Sequence, residues 1–66
     1  MLKISIKAAR VNADLNITKA AKELGVATST LSGYENGDVI PRFDMLEKMS
    51  ALYNIPIENL RVAKEG

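Results

Sequence analysis

Cysteine and histidine are both absent from this sequence of 66 residues, and aromatic residues make up only 5% of it. Without cysteine there is no disulfide framework and no thiolate nucleophile. Without histidine the commonest general base is missing, and so is a usual zinc ligand. We therefore expect no metal, no cofactor and no enzymatic activity. The core should consist of aliphatic and methionine side chains.

One pair of carboxylates is a candidate for acid–base chemistry. Asp44 and Glu47 are three residues apart, which places them on one face of a predicted helix. Acidic residues in the first turn of a helix are explained more simply by the helix macrodipole, which stabilises negative charge there. We interpret the pair as structural.

Long apolar runs are missing as well. The longest one spans Ala51, Leu52 and Tyr53, which is too short to cross a membrane. The first ten residues, MLKISIKAAR, lack the apolar stretch of a signal peptide. We expect a cytoplasmic protein that acts neither at a membrane nor on a small-molecule substrate. The length predicts a single domain over residues 1–66, with a core from about 5 to 61.

The net charge of +1 is by itself a weak sign of nucleic-acid binding. The distribution of charge is more informative, because five of the nine basic residues lie in the first 22 positions, where Asp14 is the only acidic residue. The five are Lys3, Lys7, Arg10, Lys19 and Lys22. Such a cluster is either a solvated helix face or a surface for a polyanion, and charge alone leaves both interpretations open.

Helical spacing of apolar residues predicts an all-α chain with five helices and no strand. Asparagine, aspartate, glycine and proline mark where the helices begin or end. The predicted helices cover residues 5–13, 17–24 after an N-cap at Asn16, 28–36, 41–54 and 56–60. The predicted apolar stripe of the fourth helix consists of Phe43, Leu46, Met49 and Leu52.

The second and third helices are the informative pair. They are short and are joined by about three residues that include Gly25, which is typical of a helix-turn-helix. Ala20 and Ala21 allow the two helices to cross closely, because a methyl side chain takes little space. Leu31 and Tyr34 have the spacing of a buried helix face, although small hydroxyl residues dominate the rest of the third helix.

At this point the sequence resembles a known family. The segment LNITKAAKELGVATSTLSGYENGDVIPRFDMLEKMSALYNIPIENL is similar to the phage Cro/repressor-type, or XRE-like, helix-turn-helix proteins, and the likeness extends from about Ile6 to Leu60. Its most specific element is Glu35-Asn36-Gly37 followed by Pro41. The resemblance implies a compact five-helix domain of the lambda-repressor-like class. It also implies sequence-specific binding of double-stranded DNA by a transcriptional regulator, and we expect a repressor.

The resemblance assigns the third helix, about 28–36, to the DNA major groove. The residues that match base-edge positions are Thr28, Ser29, Ser32 and Gly33. The residues that match phosphate-contact positions are Asn16, Ile17, Asn36, Arg42 and Phe43. None of the base-edge side chains can form the bidentate pairs of arginine, asparagine or glutamine, so we expect weak direct readout and more reliance on phosphate contacts and DNA shape.

Arg10 and Glu35 match a pair that is often bonded in this family, between the first helix and the end of the recognition helix. We expect a bidentate ion pair that fixes the angle of the recognition helix. The alternative is two unrelated exposed charges.

Three positions depart from the family pattern. Ile17 replaces a glutamine that reaches a phosphate, and Asp38 places negative charge where lysine is common. Ala27 replaces the serine or threonine that caps the recognition helix, so we expect Thr28 to take over the cap and Ser29 to become the better base reader. The low net charge, Ile17 and Asp38 favour a second hypothesis, a protein-interaction or antitoxin-like module with little DNA affinity of its own.

The resemblance also raises the question of pairing, because related regulators bind two-fold symmetric sites. We expect at best a weak homodimer. Apolar residues of the last two predicted helices, such as Ile55, Ile57 or Val62, are the candidates for its interface.

Overall fold

The computed structural model describes residues 3–62. Over this range the chain forms four α-helices, one 3-10 turn and a two-stranded sheet. The α-helices are α1, Ile6–Asn12; α2, Ile17–Leu24; α3, Thr28–Asn36; and α4, Phe43–Tyr53. The 3-10 turn is Ile57–Asn59, and the strands are β1, Ile4–Ser5, and β2, Leu60–Arg61. No helix in residues 3–62 combines the length and the apolar character needed to cross a bilayer.

Short polar side chains begin the first two helices. The Ser5 hydroxyl accepts a hydrogen bond from the Ala8 amide at 3.1 Å. The Asn16 Oδ1 atom accepts one from the Lys19 amide at 2.8 Å, so the predicted N-cap is confirmed. Each bond satisfies one of the amides that a helix start leaves without an intrahelical partner.

Left-handed residues end the helices. Gly25 and Gly37 close α2 and α3 with φ angles of 76° and 85°. Asn54 closes α4 at φ 56°, and Asp14 follows α1 at φ 62°. Glycine, asparagine and aspartate tolerate this region best. The predicted helix ends at Asp14, Gly25, Gly37 and Asn54 are therefore confirmed.

The prediction of five helices without a strand was wrong at the end of the chain. After Pro56 the backbone makes only a single 3-10 turn, and Leu60 lies in β2 and not in a helix. β2 pairs in parallel with β1, with Ile4 opposite Leu60 and Ser5 opposite Arg61. Strands of two residues are too short to show an alternating pattern, so the sequence carried no signal for them.

The core is aliphatic, as predicted, with one tyrosine. Every α-helix contributes buried side chains to the core, and β2 contributes Leu60. Its buried members are Ile6, Ala9, Ala20, Ala21, Leu24, Leu31, Met49, Tyr53 and Leu60. Ala20 and Leu31 are both fully buried, because small side chains on α2 let α3 approach closely.

The predicted stripe of α4 was wrong at its first member. Phe43 is 64% exposed, whereas Met49 is fully buried. At 3.6 residues per turn, Phe43 lies about 120° around the helix from Met49. The buried face is centred on Met49 and Tyr53, with Leu46 and Leu52 at its edges.

Candidate nucleic-acid interface

α2 and α3 form a tight helix-turn-helix. Only Gly25, Val26 and Ala27 separate them. The Gly25 amide donates to the Lys22 carbonyl at 3.1 Å, and the Val26 amide donates to the Ala21 carbonyl at 3.0 Å. These bonds end α2 and turn the chain directly into α3, so the angle between the two helices is set by the backbone as well as by the core.

One side of α3 faces away from the core. We define the outer face of α3 as Thr28, Ser29, Ser32 and Asn36, which fall within an arc of about 100° on a helical wheel. Three of them are exposed and Ser32 is half-buried. Leu31, on the other side of the helix, is fully buried. The structure therefore brings most of the predicted base-edge residues together on one accessible surface.

The hydroxyl groups of this face are largely unused by the fold. Thr28 and Ser29 form no side-chain hydrogen bond with any residue in 3–62, and Asn36 Nδ2 donates to Ser32 Oγ at a long 3.4 Å. The prediction that Thr28 caps α3 was wrong. Ala27 occupies the N-cap position with extended dihedral angles and no side-chain bond, and Thr28 is already helical. Both Thr28 and Ser29 hydroxyls thus remain available to a ligand.

Gly33 lies beside the loop that follows α3. Its carbonyl accepts hydrogen bonds from the amides of Asp38 at 2.9 Å and Val39 at 3.3 Å. A Cβ atom at this position would lie 3.6 Å from Val39 Cγ2, an ordinary contact. The structure therefore places this predicted base-edge residue against the loop, at the margin of the outer face.

Two helix N-termini present backbone amides. At α2, the amides of Ile17 and Thr18 have no acceptor within the described residues. At α3, the same holds for the amides of Thr28, Ser29 and Thr30. Unpaired amides and the helix dipole together favour an anion at such a position.

The residues predicted to contact phosphate differ in how far their side chains are exposed. Asn16 and Asn36 are exposed, and Arg42 is exposed at the N-cap of α4. Phe43 begins α4, where its amide lacks an intrahelical partner. The Ile17 side chain instead packs half-buried against the core, so only its backbone amide remains suitable for an anion.

Arg10 and Glu35 are joined by a bidentate ion pair. Arg10 Nε donates to Glu35 Oε2 at 2.7 Å, and Nη2 donates to Oε1 at 3.3 Å. The side chains are only 10% and 5% exposed. The hydrogen bond to Glu35 raises the pKa of Arg10 above its ordinary value, against the effect of burial. Arg10 Nη1 also donates to the Leu15 carbonyl at 2.9 Å, so one guanidinium joins α1, the α1–α2 turn and the end of α3.

Tyr53 adjoins this pair and was missed by the sequence reasoning. Its hydroxyl oxygen is buried without a hydrogen-bond partner among residues 3–62. Burial, assisted by the negative charge of Glu35, raises the pKa of Tyr53 to about 12, although the positive charge of Arg10 lowers it. A tyrosine one position after a predicted stripe residue gave a weak signal for this placement.

Comparison with known proteins identifies this arrangement. A helix-turn-helix family matches the chain over residues 6–60. The chain belongs to the XRE-type helix-turn-helix family. No solved structure matches it.

A curated relative is the cryptic phage CTXphi transcriptional repressor RstR of Vibrio cholerae. The identity is 35% over 60 residues, which cover 91% of this chain and 54% of the relative. The chain therefore spans about half the length of the curated relative that it matches.

A double-mutant cycle measures the role of the ion pair. We expect Arg10→Met and Glu35→Gln each to lower the free energy of unfolding, with a coupling energy of about 1–3 kcal/mol, because both groups are buried and bonded to each other. The measurement is denaturant unfolding of the two single variants and the double variant. A coupling energy near zero would show that the pair does not fix α3.

The placement of Ile17 predicts a loss of stability in Ile17→Gln. Because the side chain packs against the core, the free energy of unfolding should fall by about 1 kcal/mol. Thr18→Gln introduces the same side chain at the next, exposed position and should change stability by less than about 0.5 kcal/mol. Equal melting temperatures for the two variants would contradict the packing of Ile17.

The raised pKa of Tyr53 leads us to expect a loss of stability at alkaline pH. An unfolded tyrosine ionises near its ordinary pKa of 10.0, whereas the pKa in the folded protein is about 12. The contribution of Tyr53 is therefore complete below pH 10 and is lost as the pH rises toward 12, by as much as about 2–3 kcal/mol.

Tyr53→Phe is the matched variant. It should be at least as stable as the wild type at pH 7, because it removes a buried hydroxyl that has no hydrogen-bond partner among residues 3–62. It should lose less stability between pH 10 and about 12. The measurement is the free energy of unfolding of both proteins as a function of pH. An equal loss in the two proteins over this range would refute the burial of the phenol.

Proposed function

We propose that this chain is the DNA-binding domain of a transcriptional repressor and that α3 binds in the major groove of double-stranded DNA. The observation that carries the proposal is the outer face of α3. It presents the hydroxyl groups of Thr28 and Ser29, which form no side-chain hydrogen bond within residues 3–62, on a helix of the XRE-type family. Beside them lie two helix N-termini whose first amides have no acceptor in the same range. That combination suits a ligand with both base edges and phosphates.

In this proposal Thr28, Ser29 and Ser32 contact base edges. A hydroxyl donates to or accepts from a base, and the threonine methyl can contact the methyl group of thymine. Single hydroxyl contacts discriminate between bases less strongly than bidentate pairs. The sequence preference should therefore be modest at each base pair, with a share contributed by DNA shape.

Phosphate contacts supply most of the affinity. The N-terminus of α2, with the Ile17 and Thr18 amides and the exposed Asn16, would bind one phosphate. Beyond α3, Asn36, Arg42 and the Phe43 amide would bind the backbone on the other side of the helix. These contacts position α3 and carry no base information.

The regulatory step would be occupancy of an operator. A bound repressor prevents polymerase from using the same DNA, which requires affinity and placement but no catalysis. The similarity to a curated relative that is named a transcriptional repressor supports this proposal.

One observation favours the second candidate, a protein-interaction module. Val39, Ile40 and Phe43 are each at least half exposed, and Asp38 adds negative charge to the same segment. Apolar exposed side chains are typical of protein contacts, and acidic ones repel DNA.

Selection of bound sequences from a random duplex library tests the proposal. We expect enrichment of a short motif, and we expect the logarithm of the binding constant to fall linearly with the logarithm of the salt concentration. Absence of any binding at low salt would favour the protein-interaction module.

A pair of arginine variants then tests the orientation. Arg42→Gln should weaken binding similarly for all sequences and reduce the salt slope by about 1, because one phosphate contact is removed. Arg61→Gln makes the same change in charge on β2, outside the proposed interface, and should leave the slope unaltered. The measurement is titration of the selected duplex at several salt concentrations. Equal slopes for the two variants would contradict the docking of the α4 N-terminus on DNA.

A further inference from the structure

A cleft lies between the C-terminal ends of α1 and α4. Its volume is about 510 Å³, within the range of about 300–1,000 Å³ that is usual for small-molecule sites. The lining residues come from β1, from α1 and its end, and from the end of α4 with the turn that follows. They are Ile4, Ala9, Asn12, Ala13, Leu52, Tyr53, Asn54 and Ile55. The proposed DNA contacts involve none of these residues.

The walls of the cleft are mostly apolar and carry no charged side chain. Six of the eight lining residues are aliphatic or aromatic, and the other two, Asn12 and Asn54, are exposed. Among the sequence neighbours of the lining, the exposed Lys3 and Asp14 have opposite signs, and Arg10 is ion-paired. Side-chain charges around the cleft therefore nearly cancel, and the backbone decides its polarity.

The backbone makes the cleft partly negative. The carbonyl groups of four lining residues, Asn12, Ala13, Leu52 and Tyr53, accept no hydrogen bond from any residue in 3–62. For Leu52 the sequence gives the cause, because the residue four positions later is Pro56, which has no N–H. Unpaired carbonyls at a helix C-terminus carry partial negative charge, and two such ends meet here.

We propose that this cleft binds a small organic cation, an ammonium group on an apolar body. The ammonium donates hydrogen bonds to the unpaired carbonyls. The apolar body packs against side chains such as Leu52 and Ile55, which are half-buried in the free protein. A neutral ligand without donors leaves the carbonyls unpaired, and an anion is repelled by them.

Larger occupants fit the cleft less well. A stable protein interface uses roughly 20–30 residues a side, whereas eight residues line the cleft. Ile55, which the sequence suggested for a homodimer interface, is one of them and is half-buried. A DNA phosphate would face carbonyl oxygens without a cation from the lining residues. The small cation is therefore the occupant that matches both the size and the polarity.

Three probes of nearly equal size test the preference for positive charge. They are 2-phenylethylammonium, 2-phenylethanol and phenylacetate, which are positive, neutral and negative. In a titration followed by backbone amide chemical shifts, the ammonium should bind with a dissociation constant of about 1 mM. The alcohol should bind about tenfold more weakly and phenylacetate more weakly still, because two helix C-termini favour a cation. The shifts should centre on Asn12, Ala13, Asn54 and Ile55.

Substitutions of Asn12 test the site itself. Asn12 is exposed at the end of α1, where a lysine is compatible with a helix C-terminus. The ammonium of Asn12→Lys would repel the probe, so the affinity for 2-phenylethylammonium should fall about tenfold, whereas Asn12→Asp should raise it about threefold. Val39→Lys is the matched control, because it adds a positive charge at a position that is 50% exposed and outside the cleft. Its affinity for the probe should equal that of the wild type.

Several results would overturn the proposal. They are equal affinities for the three probes, shifts centred away from the cleft, no shift at about 50 mM 2-phenylethylammonium, or equal affinity in Asn12→Lys and Val39→Lys. The measurement contains no DNA, so the cation site and the proposed function stand or fail independently.

Discussion

α3 packs against the core through the fully buried Leu31 and the partly buried Tyr34. The Arg10–Glu35 ion pair supplies a second fixed point one turn later. Because Arg10 also bonds the Leu15 carbonyl, α3 is held against both ends of the α1–α2 turn. The Arg10–Glu35 pair and the packing of Leu31 and Tyr34 therefore act together to hold the proposed recognition helix in one orientation.

Within residues 3–62, the fold makes little use of the side chains on the outer face of α3. Thr28 and Ser29 use neither their hydroxyls nor their backbone amides within residues 3–62, because Ala27 takes the cap position and Leu31 the packing. Tyr53 buries its hydroxyl beside the pair, without a hydrogen-bond partner among residues 3–62.

The parts of the fold that the sequence predicted are those determined by neighbouring residues. Asn16 caps α2, and Gly25 and Gly37 adopt the left-handed conformation that ends α2 and α3, because these preferences act within one helical turn. Phe43 was wrongly placed on the buried face of α4, because apolar spacing alone does not show which side of a helix faces the core. Tertiary packing centres the buried face of α4 on Met49 and Tyr53. The β1–β2 pairing joins residues 56 positions apart, Ile4 and Leu60, and no local pattern reports it.

The candidate site also has one part that the sequence predicted and one part that only the structure shows. The family resemblance assigned the outer face of α3 and the ion pair partners by position. The exposure of Val39, Ile40 and Phe43 depends instead on which side chains of the loop and of the start of α4 the core leaves uncovered. Gly33 connects the two regions, because its carbonyl holds the Asp38 and Val39 amides. The loop is thus bonded to the last turn of the helix that would read DNA. In the proposed function, a chain with a net charge of +1 and only hydroxyl side chains toward the base edges would gain little affinity from base contacts, so the position of α3 and the phosphate contacts would decide binding.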